Sequence, residues 1–184
     1  ADKLGDDTPR RQGRLTLNPF AHIDPVGAVL LITAGFGWGK PVQINPNNFN
    51  RTISIKKGNA LVSIAGPAMN IILAVIFGLL IRFGGSFLAT TTGNVLIEII
   101  VSTIEMNVGL GIFNLIPLPP LDGSKILEAF LPPKARIWYQ EHQQILYIIF
   151  IIIWVTPFAS MIISPAIRGL EEALVKLIRI IAGV

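Results

Sequence analysis

The 184-residue chain contains no cysteine, so neither a disulfide framework nor a thiolate nucleophile or metal ligand is available to it. Any chemistry it carries rests on oxygen and nitrogen donors. Charge is scarce too: Asp, Glu, Lys and Arg make up 14% of the residues against 52% apolar, and the mean hydropathy is +0.63. A water-exposed globule of that composition would leave too much apolar surface uncovered, which makes lipid the natural solvent. Histidine is reduced to His22 and His142, at no metal-binding spacing, and no HExxH occurs. The start, ADKLGDDTPRRQGR, shows neither an initiating Met nor the basic-then-apolar pattern of a signal peptide. It is therefore expected to be an interior point of a longer protein.

What is present is cationic and unevenly spread. The net charge is +4 and the sequence pI about 9.7. Eight of the fifteen Lys and Arg residues precede position 60, three lie at 122–142 and three in the last twenty residues, leaving only Arg82 elsewhere. No basic stripe interleaved with aromatics marks a nucleic-acid surface, so no nucleic-acid partner is expected. Short cytoplasmic loops of a membrane protein account for the cations instead: with 1–59 and 119–142 on that side, eleven oppose the three of the tail.

The pattern predicts a mainly α, polytopic membrane protein forming one membrane-embedded domain over 1–184. Residues 1–24 are polar and turn-rich, and the apolar stretch 25–36 is too short to cross about 30 Å of hydrocarbon, so it reads as a re-entrant segment. In GFGWGKPVQINPNNFNRTISIKKGN, Gly, Pro and Asn punctuate short alternating runs, which predicts a small β-hairpin or sheet over 41–57. GFGWG faintly echoes a nucleotide loop, but no following helix or acidic partner supports that, and its glycines read as loop residues. Three full transmembrane helices are predicted at 60–83, 95–118 and 145–163. A short amphipathic helix with Lys125 and Glu128 precedes a Pro-Pro break and a polar loop within 122–142. The tail, 164–184, alternates apolar and charged residues at helical spacing and is expected to lie along the interface.

Polar groups at membrane depth are costly unless they serve a site. The segment IFNLIPLPPLDG, 112–123, sets Asn114, three prolines and Asp122 at the end of a hydrophobic span. Pro117, Pro119 and Pro120 lack amide donors and break the helix, which is tolerated only where protein or a water-filled cavity surrounds the freed carbonyls. Asp122, on an irregular turn, suits metal ligation, though from the residues alone capping the helix that begins near Gly123 is the more ordinary job for an Asp. In GPAMN, 66–70, Pro67 and Asn70 fit an early helical turn and an interhelical hydrogen bond. Glu98 and Glu105, seven apart on one face, either line a polar cavity or reach an interface. His22 and His142 read as a turn residue and a solvated one.

Taken together, LTLNPFAHIDPVG, GFGWGKPVQINPNNF, GNALVSIAGPAMNIILA and FNLIPLPPLDGSKIL closely resemble the site-2 protease family of intramembrane zinc metalloproteases, over nearly the whole chain. The resemblance implies a Zn2+ cofactor held by two His of an HExxH helix and by the Asp of the NxxPxPxxDG block, here Asp122. It places the HExxH Glu, the general base, upstream of this chain, so that no catalytic residue of the set stands in it and the polypeptide alone would be inactive. It implies that Asn70 and Asn114, with Pro117 and Pro119, bind substrate or support the site. The substrate would be a transmembrane protein in the lipid bilayer, and the location a multi-pass position in the cell membrane. A non-catalytic scaffold or binding subunit of the same fold is the alternative.

Overall fold

In the computed structural model, residues 1–35, 37–84 and 91–181 are described. They are mainly helical: α1 (Thr8–Arg11), α2 (Pro25–Ala34), α3 (Ile55–Phe83), α4 (Thr91–Leu115), α5 (Asp122–Phe130), α6 (Pro133–Glu141), α7 (Gln143–Val155) and α8 (Phe158–Ile181), with three short 3-10 turns between α1 and α3 or before α1. The chain divides into two compact units, Ala1–Asn59 and Ala60–Val184, the division falling inside α3.

The first unit is organised by polar side chains. Asp6, fully buried, accepts hydrogen bonds from the Thr8 amide (3.1 Å), the Thr8 hydroxyl (2.5 Å), the Asn45 amide (2.8 Å) and Asn48 Nδ2 (3.1 Å). The Asn50 amide donates to the Leu4 carbonyl at 2.7 Å, so the first residues are bound to 45–50 along their length. The guanidinium of Arg14, also buried, donates to the carbonyls of Ala21 and Lys40. α2 starts where Pro25 presets the first turn and Asp24 caps it, accepting from the Gly27 amide at 2.9 Å; it stops where Gly35 turns left-handed at φ 70°. Ten residues rise about 15 Å, which agrees with a segment too short to cross; Phe36, the last residue of the predicted stretch, lies outside the described residues. A Cβ on Gly27 would strike the backbone of Trp38, and one on Gly37 the Gly27 carbonyl. Gly27 in the helix and Gly37 in GFGWG thus let the loop close onto α2.

The hairpin predicted over 41–57 finds no strand among the described residues there. An isolated antiparallel bridge, Ile23 to Gly39, is what pairs in this unit. Pro41 and Pro46 have no amide to give a ladder. The Asn45 side chain caps a 3-10 turn, accepting from Asn47 N, while its amide is taken by Asp6. Toward the end of the predicted hairpin the chain turns, with the Ile53 amide on the Asn50 carbonyl at 2.9 Å, and α3 begins at Ile55.

In the second unit α3 and α4 are long and apolar enough to cross a bilayer: an 18-residue stretch within Ile55–Phe83 has a mean hydropathy of 2.3, and one within Gly93–Leu115 has 1.8. Only 17% and 11% of their apolar windows are buried within the protein. Core helices of a soluble protein would be mostly enclosed, so these faces fit lipid. α3 starts before the predicted 60 because Lys56 and Lys57 are helical although polar; α4 stops at Leu115, short of the predicted 118, ahead of Pro117. Residues 85–90 of the predicted polar connection lie outside the described residues.

The third predicted span, 145–163, is not one helix. α7 ends at Val155 because Pro157 has no amide and restricts Thr156, whose amide and hydroxyl turn back to the Ile153 carbonyl at 3.3 and 3.0 Å. Its 13 residues rise about 20 Å. Two helices rather than three meet the length for crossing among the described residues. The tail belongs to α8, which starts earlier, at Phe158, and carries Pro165 within it; Leu174 joins Ala74 of α3 and Val108 of α4 in a buried cluster ringed by Ile71, Val75, Ile104, Ile112, Ile167 and Leu170. The polar loop expected after Pro132 is helix α6, since Pro133 at the first position starts a helix rather than ending one.

Candidate metal-ligand site at the start of α5

After α4 ends, the Leu118 amide donates to Ile116 O at 2.8 Å and the Leu121 amide to Leu118 O at 3.0 Å, a tight turn through the prolines. α5 then begins with Leu121 at the cap position and Asp122 in the first turn. Ser124 closes that turn with its amide and hydroxyl on the Leu121 carbonyl, at 3.2 and 2.7 Å. A Cβ at Gly123 would collide with the carbonyl oxygens of Leu115 and Ile116. The first turn of α5 therefore rests on the main chain that ends α4, a closeness that the Asp-Gly pair permits.

Asp122 is not the cap residue, and its carboxylate takes no hydrogen bond or ion pair among the described residues. It is partly buried, with Oδ2 3.7 Å from where a Cβ on Gly66 would stand. A negative side chain in a first helical turn is favoured by the aligned peptide dipoles. Nearby, α3 and α4 approach closely: a Cβ on Gly111 would lie 3.0 Å from Ile71 Cδ1 and 3.5 Å from the carbonyl of the buried Pro67. The structure thus brings GPAMN and the LDG turn, far apart in sequence, to one place.

Asn70 lies one helical turn beyond Gly66 on the same face of α3, its side chain without a hydrogen bond among the described residues. Asn114, in the last turn of α4, gives one amide hydrogen to its own helix at Leu110 O, 2.9 Å. Pro117 and Pro119 form the turn, and the Pro117 carbonyl accepts from the Tyr139 hydroxyl at 2.9 Å. Burial, helped by the charge of Glu128, raises the Tyr139 pKa above its ordinary value, so the hydroxyl keeps its proton.

Other polar candidates stay apart. Glu98 and Glu105 are exposed on α4, and Glu98 borders an open groove of about 430 Å³ with Ile99, Ser102, Thr103 and Met106. His22 Nε2 meets the Thr16 carbonyl at 2.9 Å. His142 is bonded through Nδ1 to Trp138 O at 2.7 Å and stacked on the Trp138 ring with centroids 4.5 Å apart.

Zinc takes three or four protein donors at about 2.0–2.3 Å. Among the described residues no three His, Asp or Glu side chains gather for a metal. Asp122, unpaired and facing a residue with no side chain, has the chemistry of one such donor and not of a set. Sequence reading missed Gly66, Gly123 and Tyr139. The glycines had a signal in the Gly-Pro and Asp-Gly pairs; Tyr139, a lone aromatic in a polar stretch, had none.

The profile of peptidase family M50 matches residues 86–157. Over 182 residues the chain is 41% identical to "Putative zinc metalloprotease YwhC" of Bacillus subtilis (strain 168), covering 96% of this chain and 81% of that protein. It is 29% identical over 159 residues to "Putative zinc metalloprotease Rip2" of Mycolicibacterium smegmatis, covering 84% of this chain and 59% of that protein. No solved structure matches it.

Proposed function

Because the chain belongs to peptidase family M50, the site-2 protease family, we propose that Asp122 is a zinc ligand and that the protein cleaves peptide bonds inside membrane-spanning segments of other proteins. The observation that carries this is the Asp122 carboxylate, left without a partner among the described residues and set against Gly66. An unpaired carboxylate in an apolar setting is costly unless a cation meets it. Zinc bound there supplies a Lewis acid and lowers the pKa of a water it holds. No HExxH stands among the 184 residues, so within them Asp122 supplies one donor of a zinc-ligand set and not the whole of it.

The rest of the task falls to side chains on α3 and α4. A membrane helix satisfies its own amides and has to unwind before its backbone can be attacked. Asn70, with donor and acceptor both free among the described residues, and Asn114, with its oxygen and second amide hydrogen, would pair with the unwound strand. Substrate is thereby read as meeting side-chain amides rather than a sheet edge. The cell membrane, crossed more than once, is the setting.

A second reading, a non-catalytic membrane scaffold of the same fold, is favoured by the lack of a three-donor cluster among the described residues. The full-length protein separates the two. Wild type should carry close to one zinc per chain and cleave a single-span substrate; Asp122→Ala should lose both. Asn70→Ala and Asn114→Ala should keep zinc and lose cleavage. Zinc retained by Asp122→Ala would refute the ligand role, and a wild type free of zinc and activity would favour the scaffold.

A further inference from the structure

In an unbroken helix the Pro117 carbonyl would accept the amide four residues on, that of Leu121. Here the Leu121 amide is spent on Leu118 O at 3.0 Å. The residue three positions on, which closes tighter turns, is Pro120 and has no amide to give. The donor comes from another helix: Tyr139, buried to 6% exposure, places its hydroxyl 2.9 Å from Pro117 O. α6 also grips the far end of α5. Arg136 donates from Nε to Glu128 O at 3.2 Å and from Nη2 to Leu131 O at 2.8 Å, and Gln140 Nε2 to Glu128 Oε2 at 2.8 Å. The turn that leads into Asp122 and the end of the helix that Asp122 opens are thus both fastened to α6.

We infer that Tyr139 is a positioning residue for the zinc centre, its hydroxyl holding the Pro117 carbonyl so that the Asp122 carboxylate stays opposite Gly66. The inference rests on the reading of Asp122 as a zinc ligand. Between Leu115 and Asp122 the chain has two internal amide bonds within the proline turn, too few to fix a carboxylate to the few tenths of an ångström that metal ligation needs. Removing the hydroxyl keeps the ring's packing and frees the turn. Asp122 then moves although no ligand has been changed.

The test uses full-length protein with Tyr139→Phe, Asp122→Asn and, as a control for plain loss of stability, Leu174→Ala in the distant α3–α4–α8 cluster. Zinc release to a chelator is timed, the visible spectrum of the cobalt-substituted protein recorded, and kcat and KM measured. Tyr139→Phe should release zinc on the order of tenfold faster, alter the cobalt bands and lower kcat with KM little changed. Leu174→Ala should lower the melting temperature and leave release and spectrum at wild-type values. A Tyr139→Phe protein that melts earlier but matches Leu174→Ala in release and spectrum overturns the positioning role while leaving Asp122 in place. Wild-type zinc affinity in Asp122→Asn overturns the ligand reading and the role of Tyr139 with it.

Discussion

Among the described residues of 1–59 a fully enclosed side chain is a carboxylate, Asp6, surrounded by amide and hydroxyl donors; among those of 60–184 the fully enclosed side chains include Pro67, Ala74 and Val108, the last two packed with Leu174 inside a ring of aliphatic groups. The first unit is short of apolar mass that it can bury, and Leu17, Phe20 and Ile32 stand exposed on it. It gets its definition from directional bonds that close loops: Asp6 onto 45–48, and Arg14 onto Ala21 and Lys40. The second unit has long helices that satisfy their own backbone and are drawn together by shape, as where Ile178 sits over Gly78. One region should therefore respond to lost hydrogen bonds and acid, the other to lost volume.

Three experiments sharpen that contrast. The largest effect is expected from Asp6→Ala, which strands the Asn45 amide and the Asn48 and Thr8 donors at once and should cost about 3 kcal/mol. Hydrogen exchange should quicken at Thr8, Asn45 and Asn50 and stay unchanged at Ala74 and Val108; a uniform rise across both units would break the comparison. Leu174→Ala comes next, at about 2 kcal/mol, near the low end for such truncations because lipid is as apolar as the lost side chain. It should lower protection at Ala74 and Val108 while sparing Asn45.

The smallest effect is acid. Burial by itself would raise the Asp6 pKa, but the bonds from Thr8, Asn45 and Asn48 overcome it and hold the carboxyl at about 2, below the ordinary 3.8. The folded form thus binds the proton less readily than the unfolded one. The stability this brings is complete above about pH 4 and drains away as pH falls toward 2. Exchange at Asn45 should accelerate over that window before exchange at Val108 does.

How far the sequence foretold these two regions follows from the range of the forces in each. α3 and α4 were legible because a run of apolar residues is a local property, though Lys56 and Lys57 hid the true start of α3. The end of α7 turned on one residue, Pro157, inside an Ile-rich stretch whose hydropathy alone masks it. The hairpin was misread because alternation in 41–57 resembles a strand pattern, while Pro41, Pro46 and the distant Asp6 decide where the amides go. Asp122 stood out as a polar residue beside prolines. Gly66 opposite it, and Tyr139 behind it, are neighbours only through tertiary packing, and no spacing rule reaches that far.

The seat of α5 on the carbonyl oxygens of Leu115 and Ile116 has an evolutionary corollary. Main-chain atoms are the same whatever side chains are attached, so the bulk of residues 115 and 116 can drift without shifting the carboxylate next to Gly123. Variation is blocked at the glycine itself, where any larger residue meets backbone that cannot yield.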